Sequence, residues 1–171
     1  MSIDIIIAGT VFIIGLIFLG SAIWDQFIQN DDSFDGFFNN KKWKPNVPYT
    51  RLVSEIIRFT GPYLAEKKIK RFPPIRIRYY RHKKYAGFFN GEVVIYLKSN
   101  SDIHALVNST LHETMHFCQS KTDINYKRYD QLSHTYGYWN NPLEVEARAF
   151  ADQYTESCIK YLATKQLIVK E

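Results

Sequence analysis

The sequence predicts an α+β domain behind an N-terminal transmembrane helix, and three observations predict it. Twenty uncharged residues run near the start, a short block of alternating apolar and charged residues leads to an Asn-Gly pair, and two later segments repeat apolar residues at helical spacing. The chain has 171 residues, 46% of them hydrophobic, with 12 Tyr, 12 Phe and 3 Trp, which suits one modest domain with an appendage and supplies ample material for a core.

Residues 5–24 carry no charge and are bracketed by Asp4 and Asp25. They are apolar all round, and their number matches the roughly 20 residues that a helix needs to cross a bilayer. Residues 1–29 are therefore expected to be a single-pass membrane anchor. The rival reading is a cleaved signal peptide, with Gly20-Ser21-Ala22 as the small-residue site. Residues 1–4 hold no Lys or Arg and the apolar run is long for that purpose, which favours the anchor. No base precedes the span and Lys41, Lys42 and Lys44 follow it, favouring a cytoplasmic side for what comes after. Residues 30–48, rich in turn formers and ending in two prolines, read as a linker. Phe34, Phe37, Phe38 and Trp43 are too apolar for a free tether, so they are expected against the domain or at the membrane interface.

The domain proper is expected over residues 49–171. Leu52, Val53, Ile56, Ile57 and Phe59 repeat at helical spacing up to Gly61-Pro62, which breaks or kinks the helix before a continuation over residues 63–70. Residues 75–97 predict a small antiparallel β-meander. Ile75-Arg76-Ile77-Arg78-Tyr79 alternates as a half-exposed strand does, and residues 85–89 and 93–97 flank Asn90-Gly91, a strong hairpin signal.

A helix start capped by Ser101 or Asp102 follows, buried through Ile103, Leu106, Val107, Leu111 and Met115. In its middle stands His112-Glu113-Thr114-Met115-His116. Positions i and i+4 share a helix face, so both imidazoles can reach one metal ion. Glu113 lies about 100° round from His112, placed to take a proton from an attacking water. Two histidines leave a tetrahedral zinc ion one protein ligand short. Asn141-Pro142-Leu143-Glu144-Val145-Glu146 offers two glutamates at another helix start. With Ala147 at 0° and about 100° per residue, Phe150, Ala151, Tyr154, Cys158, Tyr161 and Leu162 form one buried stripe. Glu144 falls at its edge, near +60°, and Glu146 points to solvent, near −100°. Glu144 is thus the expected third ligand, with Glu146 an outer or solvated carboxylate.

His112-Glu113-x-x-His116 followed by Glu144-x-x-Ala147-x-x-Phe150-Ala151 resembles the zincin metallopeptidases of the glutamate-ligand type, among them ImmA/IrrE-like and Ste-type membrane peptidases. The resemblance covers roughly residues 75–160. It implies a zincin-like fold, Zn²⁺ on His112, His116 and Glu144, and hydrolysis of a peptide bond with Glu113 as general base. It also implies an edge strand beside the site that pairs with extended peptide, expected at residues 93–97. An oxyanion donor is expected within residues 126–140, with Tyr138 and His134 as candidates and Tyr136 beside them. One departure is Arg148, where such families often place Asp or Asn.

That arginine gives room to a competing class: a catalytically silent zinc-binding structural or interaction protein of a membrane-associated assembly, for example a virion component. Charge is uneven, with five Asp and no base in residues 1–40 against 15 Lys or Arg and three Glu in residues 41–98. The basic stretch is densest from Lys67 to Lys84. No nucleic-acid motif accompanies it, and beside a membrane anchor it is expected to meet anionic lipid or simply to be solvated. Cys118 and Cys158 have no zinc-site spacing, and the place of Cys158 on the buried stripe favours two separate core residues over a bridge.

Overall fold

The computed structural model describes residues 43–82 and 84–170, and Lys42–Glu171 forms one compact unit. The predicted span at residues 5–24 lies outside the described residues. Among those described, no helix is long and apolar enough to cross a membrane. The class is α+β, with elements β1 (Trp43–Pro45), α1 (Tyr49–Phe59), α2 (Gly61–Glu66), β2 (Ile75–Arg78), β3 (Gly87–Phe89), β4 (Val93–Tyr96), α3 (Ile103–Thr122), α4 (Tyr129–Tyr136), α5 (Pro142–Thr164) and β5 (Ile168–Lys170).

Two long helices frame the unit. Helix α3 starts at Asp102, whose side chain accepts from the Ala105 amide at 2.8 Å, while the Ser101 hydroxyl donates to Asp102 at 3.0 Å. Of the two expected caps, Asp102 thus meets the free amide and Ser101 supports it. Helix α5 starts at Asn141, which accepts from the Leu143 amide at 3.0 Å, and Pro142 in the first turn needs no amide partner. Asn141 is fully buried and also donates to Ser133 Oγ at 2.8 Å, tying the start of α5 to α4.

Helices α3 and α5 pack extensively on each other, and α1 covers both. The buried side of α5 carries Ala147, Ala151, Cys158 and Leu162, that of α3 carries Leu106, Val107 and Leu111, and α1 adds Leu52, Val53, Ile56 and Ile57. Each large aliphatic so buried contributes about 1.5–3 kcal/mol. As expected, α1 ends before Gly61-Pro62. The continuation is shorter than predicted, because α2 stops at Glu66 and Lys68 turns left-handed at φ 59°.

The predicted hairpin forms, with β3 antiparallel to β4, Phe89 opposite Val93 and Gly91 at φ 71° in the turn. The predicted meander does not. Strand order is β2-β4-β3 and β2 runs parallel to β4, so the chain crosses from one edge to the other and returns through the hairpin into the centre. The expected edge strand is therefore the central one. Its four residues Val93, Val94, Ile95 and Tyr96 are all buried, which a strand flanked on both sides and covered by α3 requires. The alternating Ile75-Arg76-Ile77-Arg78 stays half exposed at one edge, and β3 forms the other. The end of the expected linker joins the domain, since Trp43–Pro45 pairs antiparallel with Ile168–Lys170.

Candidate metal centre

His112 and His116 stand one turn apart on α3 with their rings nearly perpendicular, at 86°, and their Nε2 atoms 3.1 Å apart. Glu144 reaches them from the first turn of α5. Its Oε1 lies 3.1 Å from His116 Nε2 and its Oε2 lies 3.3 Å from His112 Nε2. Nitrogen and oxygen ligands about 2.0–2.1 Å from a tetrahedral ion stand roughly 3.3 Å from one another, so these three groups have the spacing of a ligand face. Glu144 Oε2 is buried, and its neighbours are the His112 imidazole at 3.3 Å and the Arg148 guanidinium at 3.8 Å, so the site holds this oxygen among cationic or donor groups, as it would a metal-bound oxygen.

Glu113 is the second buried acid. His112, Glu113 and His116 bring ligand atoms within 4.8 Å of one another, so this group could hold a metal ion. Both Nε2 atoms touch the carboxylate of Glu144, which leaves Glu113 beside the trio. A methyl group on Gly87 would stand 2.9 Å from Glu113 Cγ and 3.1 Å from the Val94 carbonyl, so the backbone of β3 presses directly on this side chain.

The two carboxyls are driven apart. Burial pushes Glu113 up to about 7, Glu144 adds to the rise, and the neighbouring histidines oppose it. Burial also acts upward on Glu144, but hydrogen bonding from His112, His116 and Tyr129 outweighs it and holds this carboxyl well below the usual range. Burial works against charge on His116 too, and bonding to Glu144 together with the Glu113 charge overcomes it, raising the imidazole.

Three tyrosines stand around these groups. The Tyr129 hydroxyl donates to Glu144 Oε1. Burial raises Tyr126 to about 12, with Glu113 and Glu144 adding to it, and burial plus Glu144 raises Tyr129 and Tyr138 as well. All three hydroxyls remain protonated donors near neutrality. They line a cleft of roughly 700 Å³ whose opposite wall is β3, through Gly87, Phe88 and Phe89, and which reaches both histidines, Glu113 and Glu144.

Of the two expected oxyanion donors, Tyr138 lines this cleft and His134 does not. His134 is exposed on α4. It lies five residues beyond Tyr129, about 140° round the helix, whereas Ser133 at four residues keeps the cleft face. Tyr136 is also exposed, at 52%. Arg148 forms an ion pair with Glu144 but makes its hydrogen bond elsewhere. Its Nη2 donates to the Trp139 carbonyl, its guanidinium lies 5.2 Å from the Trp139 ring centre, and its Nη1 is 3.8 Å from Glu144 Oε2. It braces the turn over Tyr138–Asn140. Glu146 is exposed, as its angle predicts, and accepts from Gln119 Nε2 at 2.9 Å. Cys118 and Cys158 are free and buried, and burial pushes the Cys118 thiol up to about 12.

Sequence reasoning passed over Tyr126, Tyr129 and Gln119. The signal for Gln119 was present: it stands three residues after His116, on the same face of α3, and a helix brings such pairs together. Comparison of the chain with protein-family models, with curated proteins and with solved structures finds no match.

Proposed function

We propose that this chain is a membrane-anchored, zinc-dependent metallopeptidase of zincin type, with His112, His116 and Glu144 holding Zn²⁺. The observation that carries the reading is the convergence of two imidazole nitrogens and the Glu144 carboxylate at 3.1–3.3 Å, beside a second carboxyl, Glu113, in a cleft. Nitrogen and carboxylate donors in a set of three suit zinc in a catalytic site. When bound, zinc supplies Lewis acidity toward a carbonyl oxygen and lowers the pKa of a water.

The protein supplies the remainder. An extended peptide adds to the free edge of β3 through backbone hydrogen bonds, which lays its scissile bond over the histidines. Glu113 takes the proton of the attacking water and returns it to the leaving amine, a task suited to a carboxyl near 7. Tyr126 is the hydroxyl left available to the developing oxyanion, since Tyr129 donates to Glu144 and Tyr138 hydrogen-bonds the same carboxylate. The competing reading, a silent structural zinc protein, predicts a site plugged by its own chain. The cleft over the histidines favours the enzyme.

The membrane partner belongs to the same proposal. The stretch from Lys67 to Lys84 exposes Phe72, Tyr79 and Tyr80 among Lys67, Lys68, Lys70, Arg71 and Arg81, with Tyr85 exposed just beyond it. Aromatic and basic side chains together suit an anionic lipid surface, where each near-surface base contributes about 1 kcal/mol. The substrate is then membrane-bound or close to the membrane.

The test compares cleavage products in membranes carrying the wild-type chain or Glu113→Gln. Peptides released only by the wild type, with zinc held by both, support the reading. Undiminished cleavage by the variant excludes Glu113 as the base.

A further inference from the structure

The side chain of Gln119 is 1% exposed, lies one turn after His116 and uses every polar atom it has. Its Oε1 is 2.8 Å from His116 Nδ1, and its Nε2 is 2.9 Å from both the Leu143 carbonyl and Glu146 Oε2. A carbonyl oxygen and an ionised carboxylate only accept hydrogen bonds. Both partners of Nε2 are acceptors, so the amide nitrogen must face them and the amide oxygen must face His116. An amide oxygen cannot donate, so His116 Nδ1 carries the proton. With Nδ1 so occupied, His116 meets its other neighbours through Nε2, the atom 3.1 Å from both His112 Nε2 and Glu144 Oε1, and that atom would present its lone pair once a metal replaced the proton it shares with Glu144.

The same amide grips the opposite helix. Leu143 and Glu146 flank Glu144 in the first turns of α5, so one side chain connects the helix that supplies two ligands with the turn that supplies the third. Leu143 is 2% exposed, which makes its carbonyl the durable half of the grip, while Glu146 meets Gln119 at the exposed surface.

We infer that Gln119 is a positioning residue of the metal centre, setting the tautomer of His116 and holding the Glu144 turn against it. This rests on the reading that His112, His116 and Glu144 hold zinc. Partners of this kind alter metal affinity by about 10–100-fold when removed.

The experiment measures zinc affinity of the full chain by competition with a chromophoric chelator, for the wild type, Gln119→Leu, Gln119→Glu and Glu146→Ala. Gln119→Leu removes both functions, and its affinity is expected to fall about 10–100-fold. Gln119→Glu still accepts from Nδ1 but has no N–H for Leu143. It is expected to keep zinc affinity within a few fold of the wild type while the metal-free chain melts at a lower temperature. Glu146→Ala is expected to change affinity little. Long-range proton–nitrogen NMR spectra of the zinc-loaded wild type should show His116 protonated at Nδ1.

Wild-type affinity in a folded Gln119→Leu, or an unprotonated Nδ1 in the zinc-loaded wild type, overturns the inference while leaving the metal site standing. A wild type that takes up no zinc overturns the metal reading itself. Should Gln119→Leu fail to fold, the NMR spectrum of the zinc-loaded wild type decides, because an unprotonated Nδ1 removes the tautomer role.

Discussion

Glu113 and Glu144 stand on facing helices and are both almost wholly buried, yet their surroundings act on them in opposite directions. The first turn of α5 gathers donors around Glu144: two imidazoles and the Tyr129 hydroxyl. Glu113 instead lies under β3, with the backbone at Gly87 against its side chain, and burial outweighs the two histidines that act on it. A carboxylate held charged suits a cation, and a carboxyl lifted toward neutrality suits proton transfer. Two identical side chains are thus driven toward opposite charge states by what packs against them.

The largest effects come from removing each acid in turn. Glu144→Ala is expected to lose stoichiometric zinc, whereas Glu113→Gln keeps zinc and loses about 10²–10⁴-fold in turnover. Metal analysis beside an activity assay checks both, and the reverse pattern breaks the comparison. Next is Tyr129→Phe, which takes a donor from Glu144 alone. A hydrogen bond to a charged group contributes about 1.5–3 kcal/mol, and the loss should appear as weaker zinc binding with the fold retained in circular dichroism. On the other side, Gly87→Ala sharpens the contrast by crowding Glu113, together with Ile95 and the Val94 carbonyl, and leaving Glu144 untouched. Overpacking costs about 1–3 kcal/mol, read as a lower melting temperature, with activity reduced and zinc retained.

The smallest effect is at Asp102, remote from both acids. The Ala105 amide holds its carboxyl below the usual value, so its stabilisation is complete above the unfolded pKa of roughly 3.9 and is lost as pH falls through the lower folded value. Asp102→Ala should cost about 1 kcal/mol near neutrality, less in acid, and leave zinc affinity unchanged.

What was legible in the sequence is what a single helix dictates. The pair His112 and His116 follows from i,i+4 spacing, and the choice of Glu144 over Glu146 follows from the angle each makes with the stripe through Ala147. Asn90-Gly91 likewise announced its own turn. The order β2-β4-β3 was not legible from alternation alone, because partners are chosen by burial over many residues. The cue lay in the contrast between the unbroken Val93-Val94-Ile95-Tyr96 and the alternating Ile75-Arg76-Ile77-Arg78, since a strand covered on both faces carries no polar row. Tyr129 was missed for a similar reason. Its hydroxyl meets Glu144 only because Asn141 bonds Ser133 and so sets α4 against the start of α5.

The pairing of β1 with β5 has a mechanical meaning. The backbone of Asn46 donates to the Leu167 carbonyl at 2.9 Å and its side chain donates to the Gln166 carbonyl at 3.0 Å, so the entering chain is fastened to the segment that follows α5. Tension applied through the residues before β1 is delivered to this short ribbon. Glu144 lies at the other end of α5, twenty residues from Thr164, or about 30 Å along the axis. A load entering at β1 would therefore meet these hydrogen bonds first, and β1 also packs on α3, the helix of the two histidines.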